Sequence, residues 1–202
     1  MSPRTVKFVP DGVRQKIAPE TLVEMWRRHT WIDVRYALGT AQHETDFTTN
    51  EQDVEESGFV SLGLYQISHE EMVHVGMYDA DPFDAEECTI IFAMLTAQRY
   101  NAIADAVGRG IGWSNQQIDD VRAYLSIAHN QGLSACLKTI RMHGLGWKAY
   151  KQRNLEQASA AVAAARTPEA LAQAQEKLQW WRKAFEYGDD CVSGGAAARD
   201  VA

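Results

Sequence analysis

Cys88-Thr89-Ile90-Ile91-Phe92-Ala93-Met94-Leu95 is the stretch that decides the fold class. Its apolar side chains fall all round a helical wheel instead of on one stripe. A helix apolar on every side is buried among other elements. The segment that contains it opens at Asp81-Pro82, a cap followed by a first helical residue, and closes at Gly108. The chain is therefore read as mainly α (α+β in detail). A helical bundle surrounds this central helix, with a small strand or hairpin element and a C-terminal helical hairpin.

Working outward, the helices before and after it announce themselves by apolar spacing. Pro19 starts a segment with Leu22, Val23, Met25 and Trp26 on one stripe. A second runs from about Ile32, with Val34, Ala37, Leu38 and Ala41 at helical spacing, and fades near Glu44 and Thr45. Ser68 with Glu71 and Ser114 with Gln117 are capping-box pairs, each opening a helix. The second of these ends at Gly132, and a short helix from Ser134 ends by Gly144. From Tyr150 the composition turns to Ala, Gln, Lys and Glu, and Thr167-Pro168 starts the second arm of a hairpin that Gly188 closes. Domain organisation follows: residues 1–150 as the main domain, 151–188 as a helical hairpin packed on it, and 189–202 as a loose tail.

Residues 46–67 break the helical pattern. Asp46 to Ser57 is polar without period and carries Asp46, Glu51, Asp53, Glu55 and Glu56. In the next run, Gly58-Phe59-Val60-Ser61-Leu62-Gly63-Leu64-Tyr65-Gln66-Ile67, the residues Val60, Leu62 and Leu64 share one parity, which suits a short strand or hairpin. Its glycines call for a tight turn or a close backbone approach.

Composition excludes several functions. The 202-residue chain carries a net charge of −7. That balance repels phosphate backbones and anionic lipid, so no nucleic-acid partner is expected. The basic cluster Lys138, Arg141, Lys148, Lys151 and Arg153 reads as a solvated helix face. No apolar run reaches the ~18–20 residues of a membrane helix, so no membrane insertion is expected. No signal peptide is visible at the start of the sequence. The three cysteines are scattered: Cys88 and Cys136 read as buried thiols, and Cys191 as a free thiol in the tail. His43-Glu44 and His69-Glu70 both lack the following histidine at one helical turn that a zinc-protease pattern needs. No metal and no cofactor is expected. Gly108-x-Gly110-x-Gly112 follows a helix, not a strand, and reads as a loop.

The candidate for chemistry is Glu44, in Ala41-Gln42-His43-Glu44-Thr45-Asp46-Phe47. It sits beside the buried stripe at the C-terminal end of its helix. The negative helix end and apolar surroundings both disfavour a charged carboxylate, the condition a general acid near neutrality requires. The bland alternative, a solvated helix-end carboxylate, has the same composition.

Three short blocks in order sharpen this: Glu44-Thr45 with Phe47, then Gly63-Leu64-Tyr65-Gln66-Ile67, then Ala128-His129-Asn130-Gln131-Gly132. Over roughly residues 32–150 the chain resembles the soluble-type lytic transglycosylases and, more broadly, the goose-type lysozyme-like family. Those proteins show Glu-Ser with a nearby Phe, then Gly-Leu-Met-Gln, then Ala-Tyr-Asn-x-Gly. The resemblance implies a lysozyme-like fold that cleaves the β-1,4 bond between N-acetylmuramic acid and N-acetylglucosamine in peptidoglycan glycan strands, and a monomer is expected. It implies Glu44 as catalytic acid/base and Gly63, Tyr65, Gln66, His129, Asn130 and Phe47 as substrate-binding residues. Here Thr45 stands for Ser, Tyr65 for Met and His129 for Tyr, which touches substrate geometry more than fold. A hydrolytic, inverting relative needs a second carboxylate to activate water, and Asp46, Asp53, Glu55 and Glu56 are open candidates. Phe47, Tyr65, Trp113, Tyr124 and Trp147 are available to stack on sugars, and of Trp180 and Trp181 at least one is expected in the core. A compact chain of this kind fits a phage-type enzyme, made in the cytoplasm and acting on the cell wall after release or from the virion. A catalytically silent glycan-binding module and a helical interaction protein are the competing classes.

Overall fold

A computed structural model describes residues 5–9, 12–108 and 113–199. The fold is mainly helical with a small antiparallel sheet. In order, the elements are β1 (Thr5–Phe8), α1 (Pro19–His29), α2 (Val34–Thr45), β2 (Gln52–Glu55), β3 (Val60–Leu62), β4 (Ile67–Ser68), α3 (His69–His74), α4 (Ala85–Val107), α5 (Asn115–Gln131), α6 (Leu133–His143), α7 (Trp147–Ala164) and α8 (Pro168–Ser193), followed by a 3-10 turn (Ala197–Arg199). Two compact units emerge: residues 1–99 with 193–202, and residues 100–192. The division falls within α4.

In the first unit the sheet has the order β1-β2-β3-β4, antiparallel throughout, with Asp53 opposite Ser61 and Leu62 opposite Ile67. The core is built from Leu22 and Trp26 of α1, Tyr36 and Leu38 of α2, and Cys88, Ile91, Phe92 and Leu95 of α4. Phe92 gathers the aromatics: Tyr36 stacks on it at 5.4 Å and Tyr65 at 4.0 Å. The N-terminal part of α4 is thus the buried helix that its sequence suggests, except that Met94 is exposed. Its start differs from the expectation. Asp81 caps only a turn, accepting from the Phe83 N–H, and the helix opens three residues later with Asp84 accepting from Glu87. The two capping boxes form as read: Ser68 with Glu71 and Ser114 with Gln117.

The second unit holds an aromatic core. Trp147 meets Tyr124 and Phe185 edge-on at 5.6 and 5.4 Å, and Trp181 stacks on Phe185 at 5.1 Å. Tyr124 and Trp147 are buried, so they hold the core together and are not open sugar platforms. Trp181 is half-buried and stacks on this core, while Trp180 stays exposed. The helical hairpin is present, but Gly188 does not close it. α8 continues to Ser193, because the glycine makes room for the Trp147 ring, whose Nε1 donates to Asp189 Oδ1 at 3.0 Å.

The expected loose tail is also corrected. Residues 189–193 are helical, Cys191 is buried, and residues 194–199 pack into the first unit, where Ala197 is buried and its N–H reaches Gln42 Oε1. The loop reading over residues 109–112, and the last three residues of the tail, lie outside the described residues.

Candidate functional site

Glu44 stands half-buried in the last turn of α2, flanked by buried Ala41 and Thr45. The helix does not simply fray there. Asp46 (φ 49°) and Phe47 (φ 62°) are both left-handed, and the Phe47 N–H turns back to the Ala41 carbonyl at 3.2 Å. Asp tolerates that region, but an aromatic residue there is an outlier. Phe47 is held by the Ile17 N–H, which donates to its carbonyl at 3.1 Å, and by burial of its ring. Phe47, 8% exposed, therefore anchors the turn and offers no open face to a ligand.

The Gly63–Gln66 block forms a tight turn between β3 and β4. Gly63 has φ 72°, and a Cβ on it would sit 1.9 Å from the Pro82 carbonyl oxygen, so no other residue fits. Gln66 is the third non-glycine residue with positive φ, at 51°. Its Nε2 donates to the carbonyls of Gly63 (2.9 Å) and Glu51 (3.3 Å), which leaves its buried Oε1 without a hydrogen-bond donor among the described residues. Tyr65 is a correction. It is 0% exposed and stacks on Phe92, so its ring belongs to the core and does not line a binding surface. Burial also pushes its phenol well above the usual range. Cys88 lies beneath the same turn, its thiol pushed up to about 12 by burial, and is chemically quiet.

One contact joins the Glu44 and Gly63–Gln66 blocks, and a second ties the turn towards β2. The Thr45 hydroxyl donates to the Leu64 carbonyl at 3.0 Å, nineteen residues on. The Gly63 N–H donates to the Glu51 carbonyl at 2.8 Å, which ties the turn to the start of β2.

Lys7 of β1 adds the charge at this place. Its ammonium donates to the Glu44 carbonyl at 2.9 Å and to Glu51 Oε1 at 2.9 Å, and lies 3.4 Å from Asp53 Oδ2. A cation at the carbonyl end of a helix offsets the negative pole of the dipole. Glu51 is only 3% exposed and has Arg14 at 3.9 Å as a second, weaker partner. Desolvation raises the Asp53 carboxyl, against the opposing pull of Lys7, and its Oδ1 is buried without a hydrogen-bond partner among the described residues. The sheet thus sets a second carboxylate within reach of the ammonium that holds the end of α2. Of the other candidates for that role, Asp46 is exposed and paired with Lys16 at 2.5 Å, and Glu56 is exposed. Glu55 accepts from the Ser57 hydroxyl in the hairpin.

His129 and Asn130 belong to the second unit, in the last turn of α5 before Gly132. Asn130 is exposed; His129 is half-buried, its ring edge-on to Tyr187 at 6.5 Å. Sequence reasoning passed over Lys7 and the bridging role of Thr45. Lys7 left only a faint signal, a lone cation in a short alternating run.

Among the described residues, no three His, Cys, Asp or Glu side chains converge as a metal site, and no helix is long and apolar enough to cross a membrane. No protein-family model, curated protein or solved structure matches the chain.

Proposed function

We propose that the chain cleaves the β-1,4 bond between N-acetylmuramic acid and N-acetylglucosamine in peptidoglycan, as a lytic transglycosylase with Glu44 as acid and base. One observation carries this reading. The three non-glycine residues with positive φ among those described, Asp46, Phe47 and Gln66, all sit in the two sequence blocks that Thr45 ties together. At Phe47 and Gln66, where the side chain does not favour that region, such strain costs of order 1–3 kcal/mol each and gathers where geometry serves chemistry. Here it surrounds a half-buried carboxyl at a helix end.

In this mechanism Glu44, protonated, donates its proton to the glycosidic oxygen as the bond to the muramyl C1 breaks. The carboxylate then takes the proton of the muramyl 6-hydroxyl, whose oxygen attacks C1 and closes the 1,6-anhydro ring. No water is consumed and no second carboxylate is needed. Gln66 Oε1 supports the reading as a buried acceptor that a sugar hydroxyl or amide N–H would satisfy.

A second reading is favoured by Asp53. A carboxyl raised by desolvation, with one oxygen unpaired, suits a base that activates water in an inverting lysozyme. Mass spectrometry of products from purified peptidoglycan separates the two. Anhydro-muramyl ends, lighter by one water, support the transglycosylase; reducing muramyl ends support the hydrolase and implicate Asp53. Glu44→Gln is expected to lower turnover by about 10²–10⁴-fold. Unchanged turnover in that variant rejects both readings.

A further inference from the structure

The second unit carries a groove in which Glu44, a residue of the first unit, takes no part. It runs along α7 beside α8 and has a volume of about 560 Å³. That is within the range of small-molecule sites, roughly 300–1,000 Å³. Trp147 and Leu155 both line it, eight residues and about 12 Å apart along the helix axis. The walls are mainly carbon although Lys148, Lys151 and Gln152 also line them, so these side chains contribute chiefly their methylene stems.

The charges around the groove differ in what they already hold. Lys151 is committed to Asp189, which also accepts from the Trp147 indole at 3.0 Å. Glu156, at the far end, accepts from Gln152 at 2.8 Å. Lys148 is exposed in the first turn of α7 and has no hydrogen bond or ion pair among the described residues. Its neighbourhood favours an anion. Residues 133–164, which span α6 and α7, carry five Lys or Arg and one Glu, in a chain whose net charge is −7. The sequence reads this cluster as a solvated face, and the structure separates its members: Arg153 meets His143 at 3.1 Å, Lys151 meets Asp189, and Lys148 is left facing the groove.

α7 exposes no large apolar side chain among those described. It therefore presents no broad apolar face to a bilayer or to a partner helix, and the apolar surface it offers lines the groove. A matching ligand is slim, apolar along its body and anionic at one end. The groove extends over more than two helical turns, which suits an extended chain better than a compact ring. Glu156 repels an anion at its own end and so sets the direction.

We propose that this groove binds a medium-chain alkyl carboxylate, with the carboxylate on the Lys148 ammonium and the chain running towards Leu155. The test uses the full chain with octanoate, hexanoate and octanol, and reads the backbone amide resonances of Lys148 to Glu156. Octanoate is expected to bind about threefold tighter than octanol at low salt, the size of an exposed ion pair, and added salt should narrow that margin. Lys148→Gln removes the margin and leaves octanol binding unchanged. Hexanoate, shorter by two methylenes, binds roughly tenfold more weakly than octanoate. Leu155→Ala weakens all three. Equal binding of octanoate and octanol, a margin that survives Lys148→Gln, or no shift of the α7 amides with any of the three would overturn the proposal. Lys148 is exposed, so its substitution preserves folding, as a thermal melt would show.

Discussion

Gly188→Ala is a perturbation for which local and tertiary physics predict opposite signs. Gly188 lies inside α8, and in an unconstrained helix the change to Ala stabilises by about 1 kcal/mol. Here the new methyl would sit 2.1 Å from Cζ2 and 2.6 Å from Cη2 of Trp147. The indole has little freedom to retreat. Its Nε1 is held by Asp189, its edges meet Tyr124 and Phe185, and it is 6% exposed. Forcing a methyl into such a core costs about 1–3 kcal/mol, more when the clash falls on a fixed ring. The clash outweighs the propensity gain, and a net loss of about 1–2 kcal/mol is expected. With a urea m-value of about 2 kcal/mol/M, the midpoint falls by roughly 0.5–1 M at unchanged slope. Tryptophan fluorescence follows the transition. In a Trp147→Ala background the same change should turn neutral or stabilising, because the obstacle is gone. A Gly188→Ala protein more stable than wild type would refute the packing described for this helix.

Other expectations follow from single contacts. Thr45→Val keeps shape but removes the donor to the Leu64 carbonyl, costing about 1–3 kcal/mol in denaturant unfolding; glycan cleavage should fall with it, and a variant of wild-type stability would sink the bridge. Among the described residues, Lys7→Met leaves the buried Glu51 with only the distant Arg14, a loss of about 1–3 kcal/mol since Lys7 itself is half exposed. Adding Glu51→Gln should return part of that loss, and strict additivity of the two changes in unfolding experiments would contradict the pairing. Asp120 is raised above 3.8 by desolvation, against the pull of hydrogen bonds from Gln116 and the Trp147 backbone. The folded state therefore holds this proton more tightly, and the group's contribution is fully present below the unfolded pKa and lost as pH rises through the folded one. Relative to Asp120→Asn, the wild-type protein should gain stability as pH falls towards 4, and a parallel pair of pH–stability curves would exclude the effect.

What the sequence revealed divides by how local the cause is. The boxes Ser68–Glu71 and Ser114–Gln117 are legible because each joins groups three residues apart. Asp81-Pro82 misled because Asp84, three residues on, is an equally good cap and won. β1 escaped notice since its partner strand lies more than forty residues away, so Thr5–Phe8 has no local reason to extend. Gly188 looked like a stop because its real cause, the Trp147 ring, arrives from another helix. Within the site, Glu44 and the turn glycine Gly63 could be read from position and chemistry. Tyr65 could not, because its parity does not tell a core ring from a binding face until Phe92 is placed against it. Lys7 was equally hidden, as its targets on α2 and β2 are far off in sequence.

Residues 193–199 return to the first unit after the whole second unit has been traversed. On the ribosome, order of synthesis and order of completion are therefore inverted. The 100–192 segment is contiguous and can collapse as soon as it emerges. The segment carrying Glu44, made earlier, still lacks the turn at Gly194–Ala197 that rests on Arg35 and Gln42 of its own helix. Full organisation of the candidate acid's helix is in this way deferred until the whole second unit has been made.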